Sequence, residues 1–470
     1  MTISRETVQS LRAWGGPSQM GAFEAVMWRA EVDPRLRSHG VSLHLMETAA
    51  DWERLLAGHE WAVRAIPRFR EKVMGPVFGT NAPAWVEDPD FDLGYHLRRI
   101  RLPAPGSQRQ LLDCLQAFGA APCDRARPQW EALLIEGLED GGSAYALKMH
   151  HAMTDGKGLV QLFEHMLGST AESQQRAEPR ARIANASAPA GQKGGPARAL
   201  TRELFKAPLR MAAATGWWAR RRPSDIGKFA SYLDSARRVL APVAAKPSPL
   251  MRRRSLATRY DVIDVDLAGL KGAGKRAGCS LNDALLAAVI GGFARYHQAY
   301  DIDIDAMPIG FPISIRSDAD GMGGNRFVGA TYAAPMDEPD PVARMQAIRE
   351  FVLRVRCEPA IDAMVRLMPA MALLPDTVLA RATAAFTTSL DVQISNIPGS
   401  PAPVYLAGAR VTRHYPFGPR PGCAAMLAMF SYDGRCCLGI NSDPAAVAEP
   451  ELLMESLERE FAAIIDEASA

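Results

Sequence analysis

The 470-residue chain is poor in aromatic side chains, which make up 7% of it. None of its seven cysteines (Cys114, Cys123, Cys279, Cys357, Cys423, Cys436 and Cys437) forms a C-x-x-C pair. An odd count without paired spacing argues against a disulfide framework or a zinc site, and for a reducing cytosol. No uninterrupted apolar run approaches the ~18 residues of a membrane-crossing helix. The start, MTISRETVQSLRAW, has neither a basic lead nor an apolar h-region, so no secretory leader is expected. No serine sits in a G-x-S-x-G elbow, which weakens a serine-hydrolase reading. No short repeat is visible, which disfavours solenoids and propellers.

Hydrophobic residues make up 48% of the chain and charged residues 23%. That is ordinary for a globular protein, and at about 150 residues per domain the length suggests two or three domains. The formal net charge of +2 conceals an asymmetry: Arg176–Arg254 carries 18 basic and 4 acidic residues. No base-stacking platform or zinc module accompanies that charge, so nucleic-acid binding is not expected.

The chain divides into residues 1–168, 169–255 and 256–470. In the first part Gly40–Thr48, Glu131–Gly137 and Ala144–His150 read as strands, and Asp51–Phe69 and Gln108–Phe118 as helices. Asp140-Gly141-Gly142 is a hairpin signal. Ser169–Ala199 has almost no large apolar residues and reads as linker. Leu200–Ala245 regains apolar spacing but stays basic. The third part reads as strands at Tyr260–Val265, Ile309–Ile315, Phe327–Ala334, Val392–Ser395, Gly408–Arg413 and Met426–Ser431. Helices are expected at Leu267–Ala277, Asn282–His297 (capped by Ser280), Val342–Val355 and Glu449–Ala468. Two α/β units of similar size imply a cleft between them.

The segment AYALKMHHAMTDGKGLVQL, Ala144–Leu162, carries the chemistry. A strand delivers His150 and His151 to its end, and Asp155-Gly156 turns the chain into a helix. Imidazole titrates near neutral pH and suits proton abstraction. Strand neighbours point to opposite faces, so only one of the two faces a given cleft unless the strand ends there. A carboxylate four residues on can pair with an arginine and hold the loop. Gly156 allows positive φ and a close approach of backbone to substrate. A histidine pair alone is more often structural, and it lacks the spacing and third ligand of a zinc site. The full H-H-x-x-x-D-G string is rarer, arising by chance in roughly one chain of this length in a thousand.

That string resembles the active-site motif of the chloramphenicol acetyltransferase-like superfamily, which includes condensation domains. More narrowly, the chain resembles the bacterial wax ester synthase/diacylglycerol acyltransferase family. The blocks MGAFEAVMWRAE, RPQWEALLIEGLEDGG, LNDALLAAVIGG, FPISIRSD, MGGNRFVGATYAAP, VQISNIPGS and VYLAGARV match in order along nearly the whole chain. The resemblance implies an α/β fold of two chloramphenicol acetyltransferase-like domains with mixed sheets and a channel at their interface. It implies acyl-CoA as co-substrate, with no cofactor or metal, and diacylglycerol or a long-chain alcohol as acceptor. His151 becomes the general base in a ternary complex without an acyl-enzyme. His150 becomes a packed support for the strand. Asp155 is expected to pair with Arg316, which read by itself is equally a solvated loop residue. Asn282, Ser395 and Asn396 become supporting polar groups; read by themselves they are helix-start and turn residues. Asp283 reads as a first-turn carboxylate favoured by the helix dipole. Pro128 and Trp130 are carried over as substrate-binding positions. Between them Gln129 replaces the family's usual leucine, a departure that bears on acceptor and chain-length preference.

Trp217-Trp218 beside Arg220–Arg222 suits an interfacial segment, and equally an ordinary crossover helix. Peripheral contact with the inner membrane or a lipid inclusion through 200–245 is therefore expected of an otherwise cytoplasmic protein, with a homodimer left open. Leu367–Leu379, apolar and interrupted by Pro369 and Pro375, reads as core, acyl-tunnel lining or membrane contact. Two other functions fit the sequence less well: an acyltransferase acting on a specialised-metabolite hydroxyl or amine, and a non-catalytic binding protein.

Overall fold

The stretches WEALLIE and SAYALKMH are almost wholly buried and pair as an antiparallel hairpin, as their apolar, strand-favouring composition dictates. Gly141 takes φ +77° in the turn between them, a conformation that glycine adopts without steric cost. The computed structural model describes residues 5–75, 82–172, 223–314, 325 and 327–467.

In chain order the helices are α1 (Arg5–Arg12), α2 (Ala22–Ala30), α3 (Trp52–Ala65), α4 (Leu93–His96), α5 (Gln108–Ala120), α6 (Gly156–Met166), α7 (Pro223–Val239), α8 (Leu267–Arg276), α9 (Leu281–Gln298), α10 (Pro341–Arg356), α11 (Ala363–Met371), α12 (Asp376–Thr387) and α13 (Pro450–Glu467). The strands are β1 (His39–Met46), β2 (Glu71–Met74), β3 (Ala84–Glu87), β4 (Leu97–Arg101), β5 (Trp130–Glu136), β6 (Ser143–His150), β7 (Arg259–Asp266), β8 (Ala306–Ser314), β9 (Phe327–Pro335), β10 (Val392–Pro398), β11 (Tyr405–Leu406), β12 (Ala409–Phe417), β13 (Ala425–Tyr432) and β14 (Arg435–Ser442).

Two six-stranded mixed sheets organise the chain, in the orders β11-β12-β1-β6-β5-β4 and β7-β14-β13-β10-β8-β9. The first is antiparallel except for β4 beside β5; in the second, β10 runs parallel to both β13 and β8. Residues 256–470 therefore do not form one separate half. β12 leaves them and pairs along β1, from Val41 opposite Phe417 to Met46 opposite Val411. A free edge on β1 would strand its backbone donors and acceptors, and β12 closes it.

The 169–255 linker is likewise narrower than the composition suggests. Tyr232 and Ser235 of α7 bond Asp362 and the Ala360 N–H, and Ser248 is fully buried against Asp391 and His297. The Trp217-Trp218 and Arg220–Arg222 cluster lies outside the described residues.

From Ala284 to Ala294, α9 is apolar on every side and buried on every side. A Cβ on its Gly292 would come within 2.6 Å of Leu457 on α13, so glycine permits this close helix contact. The Ser280–Asp283 capping box starts α9, which accounts for Asp283 by local structure alone.

Candidate active site

β6 ends at His150, and the backbone then leaves the sheet. The His151 N–H donates to Ser38 O at 2.7 Å, just before β1 begins. Asp155 caps α6 by accepting from the Gly158 N–H at 2.8 Å. Its role at the helix start is thus visible in the structure, while Arg316, its expected partner, lies outside the described residues.

Gly156, the first residue of α6, does not have positive φ, contrary to the freedom anticipated for it. It is close to protein on the side of the second sheet. A Cβ here would lie 2.8 Å from Cδ1 of Ile397 on β10. The glycine lets the helix start sit against the second sheet.

The two histidines face different surroundings. His150 is 1% exposed. Its Nδ1 accepts the Ala152 N–H at 3.0 Å, so the ring proton sits on Nε2 and is donated to Glu31 Oε1 at 2.8 Å. Trp28 meets the ring edge-on at 5.3 Å. Burial alone would raise the Glu31 pKa; attraction and hydrogen bonding from His150, with the Ser38 N–H, outweigh it and bring it down to about 2. This is the geometry of a packed support.

His151 instead takes its partner from the other part of the chain. Its Nδ1 lies 2.9 Å from Asn325 Oδ1. The Asn325 Nδ2 donates to His151 O at 2.9 Å and toward Glu24 Oε1 at 3.3 Å. Both of those atoms only accept, which fixes the amide orientation. Its oxygen must then receive the Nδ1 proton, leaving the Nε2 lone pair for chemistry. Phe327 packs edge-on to the ring at 5.8 Å. Burial lowers the His151 pKa from its usual value against the raising effects of Asp155 and Asn325, which favours the neutral, proton-accepting form.

Ser395 lies two positions before Ile397 on β10, hence on the strand face that meets the start of α6. Asn396 lies on the opposite face. β10 pairs with β8 only at Val392 and Gln393, so the two strands splay before reaching Ser395. Asn282, in the first turn of α9, makes no hydrogen bond to the described residues around His151.

Trp130 is placed differently from a substrate contact. It is 0% exposed, donates from Nε1 to Phe69 O at 2.9 Å and stacks on His96 at 4.7 Å. Pro128 is buried beside it. The Gln129 amide donates to Asp124 O and Arg127 O, each at 2.7 Å, so the polar replacement serves a loop. Glu24, Glu31 and Asn325 were not singled out from the sequence. They fall within the family-like blocks MGAFEAVMWRAE and MGGNRFVGATYAAP, but nothing local marks them as partners of the histidines.

Comparison with known proteins identifies the family. Residues 18–285 match the wax ester synthase/diacylglycerol acyltransferase catalytic domain, and 323–465 match the WS/DGAT C-terminal domain. The chain belongs to the wax ester synthase/diacylglycerol acyltransferase family. This family member is 38% identical over 458 residues to a Mycobacterium tuberculosis protein named "Putative diacyglycerol O-acyltransferase", covering 95% of this chain and 91% of the relative. Among solved structures it resembles the wax ester synthase/diacylglycerol acyltransferase from Marinobacter aquaeolei VT8, with TM-score 0.61, 19% identity and full coverage of both chains. It also resembles the first condensation domain of the calcium-dependent antibiotic synthetase, with TM-score 0.63, 14% identity and 96% coverage of each chain. These two structures establish the shared fold of this family member.

Proposed function

We propose that this chain is an O-acyltransferase that moves a fatty acyl group from acyl-CoA to diacylglycerol or a long-chain alcohol. The observation that carries the reading is the His151 tautomer held by Asn325, which leaves Nε2 as the free base. Nε2 takes the acceptor's hydroxyl proton as the oxygen attacks the thioester carbonyl. The tetrahedral intermediate collapses as the new ester forms, the C–S bond breaks, and the proton passes from Nε2 to the CoA thiolate. Among the described residues no serine hydroxyl or cysteine thiol is hydrogen-bonded to the His151 ring, in keeping with direct transfer.

Peripheral contact with a lipid surface belongs to the same reading. Among the described residues no single helix is long and apolar enough to cross a membrane. α12 is apolar on two sides: Leu379 and Ala384 are buried toward α2 and the adjoining turn, while Val378 and Phe386 face outward. Leu367 and Leu373, the latter 76% exposed, extend this apolar surface. Such a face suits the headgroup–acyl boundary.

The test is to incubate the protein, and separately His151→Ala, with palmitoyl-CoA plus dioleoylglycerol or hexadecanol, following thiol release and lipid product. Product is expected from the unaltered chain, with a loss of about 10²-fold or more in His151→Ala. No turnover with either acceptor overturns the neutral-lipid reading; equal turnover by the variant overturns the base assignment.

A further inference from the structure

Away from the His151 imidazole, the chain contains an open, solvent-connected cavity. It forms where Pro34–His39 meets the segments around Arg254 and Arg420. Its lining includes Arg35, Arg37, His39, Arg254, Arg420 and Asn441, and no aspartate or glutamate, although Asp33 just outside it pairs with Arg35 at 2.6 Å.

Two of these arginines are built into the protein. Arg254 and Arg420 have side chains only 10% exposed. Arg254 donates to Gly422 O at 2.8 Å and lies 3.3 Å from Asp391. Arg420 donates to Cys423 O at 2.9 Å and pairs with Asp443 at 3.0 Å, yet its buried Nε has no partner. Arg37 spends one N–H on Ala120 O at 3.2 Å, and the rest of its guanidinium is free among the described residues. A concave site with several guanidinium groups and no lining carboxylate suits phosphate, whose oxygens accept their fork of donors.

The cavity also adjoins the site through the backbone. Ser38, between the lining residues Arg37 and His39, supplies the carbonyl that holds the His151 N–H at 2.7 Å.

We propose that this basic cavity binds the phosphate groups of the acyl-CoA donor. The inference rests on the acyl-CoA reading above: phosphates held here anchor the carrier while its thioester arm runs toward His151. An anionic lipid headgroup shares the phosphate chemistry and is separated by the test.

The intact chain and an Arg35→Glu/Arg37→Glu variant are assayed with palmitoyl-CoA and with palmitoyl-pantetheine, which carries no phosphate. Adenosine 3′,5′-bisphosphate binding is measured by calorimetry. The unaltered chain should favour palmitoyl-CoA in KM, and the variant should lose that preference by about tenfold along with bisphosphate binding. An unchanged preference overturns the proposal. So does a variant that keeps bisphosphate binding but no longer floats with phosphatidylglycerol vesicles, which would assign the cavity to lipid. If the unaltered chain fails to use palmitoyl-CoA at all, the acyl-CoA reading falls, and calorimetry still decides the cavity. Binding that the variant loses supports a phosphate site, and no binding by the unaltered chain overturns it.

Discussion

Asn325 grips His151 at two points, 174 residues away in sequence: its amide oxygen meets Nδ1 and its amide nitrogen meets the backbone carbonyl, both at 2.9 Å. The contact joins the end of β6 to the segment that leads into β9. It sets the tautomer through a group that cannot itself titrate.

Asn325→Ala should therefore lower kcat by about tenfold to a hundredfold while changing KM little, because the base remains but its tautomer and aim are no longer held. The pH profile gives a second readout. His151 is active when unprotonated and its pKa is lowered, so the acid limb should lie below the usual histidine range. Asn325→Asp places a negative charge on Nδ1–H, which favours imidazolium and should move that limb to higher pH. Steady-state rates from pH 4.5 to 8.5 check this; an unmoved limb in Asn325→Asp would show that Asn325 does not touch the working base.

Gly156→Ala should destabilise the protein by about 1–3 kcal/mol, since its new methyl meets Ile397 at 2.8 Å. Ile397→Ala in the same chain should restore part of the loss by making room. Thermal unfolding of the two single variants and the double variant measures the coupling. Additive effects would mean that the helix start and β10 do not press on each other.

Acid should weaken the fold in two stages. Burial holds His44 near a pKa of about 3 and His39 near about 4, and pushes the fully buried His414 well down, its ring 3.9 Å from that of His44. The unfolded chain takes up these protons first, so stability is full above pH ~6.5 and falls as pH drops toward those lower values, with a slope of about 1.4 kcal/mol per pH unit per histidine. Glu31 adds a lower window of the same sign: its stabilisation is present above the ordinary carboxylate value of 4.5 and is lost as pH falls toward about 2. Urea midpoints between pH 7.5 and 4 test the first stage. A flat profile there would mean that these rings gain protons without unfolding.

Leu373→Glu together with Phe386→Glu should reduce co-flotation with phosphatidylcholine/phosphatidylglycerol vesicles several-fold while leaving the unfolding temperature nearly unchanged, since both side chains are already exposed. Unaltered flotation would remove the α11–α12 surface from the lipid-contact reading.

Much of the local structure was legible in advance. The alternation before His150, the Asp155-Gly156 turn and the helix after it appear where pattern and capping chemistry place them. β14 was not anticipated, although Asp433-Gly434 before it is a two-residue hairpin signal, and both residues do take positive φ. Its Cys436, Cys437 and Gly439 diluted the usual strand composition. The apolar stretch around Leu367 also resolved into two helices, because Pro375 stands just before α12, whereas Pro369 is accommodated inside α11.

By itself, then, the sequence determined the strand–turn–helix that presents the histidine pair, the helix caps and the family, because these depend on neighbours a few residues apart or on ordered blocks of residues. Tertiary structure alone decided that Asn325 sets the His151 tautomer, that Glu31 accepts a hydrogen bond from His150, that Trp130 is core, and that β12 completes the first sheet. Each of these joins groups from 34 to 376 residues apart, as with His96 on Trp130 or Val41 opposite Phe417. Local periodicity says which side of an element is buried, but not which distant side chain will meet it there; that follows only when the chain closes its sheets and must give its buried backbone donors and acceptors partners.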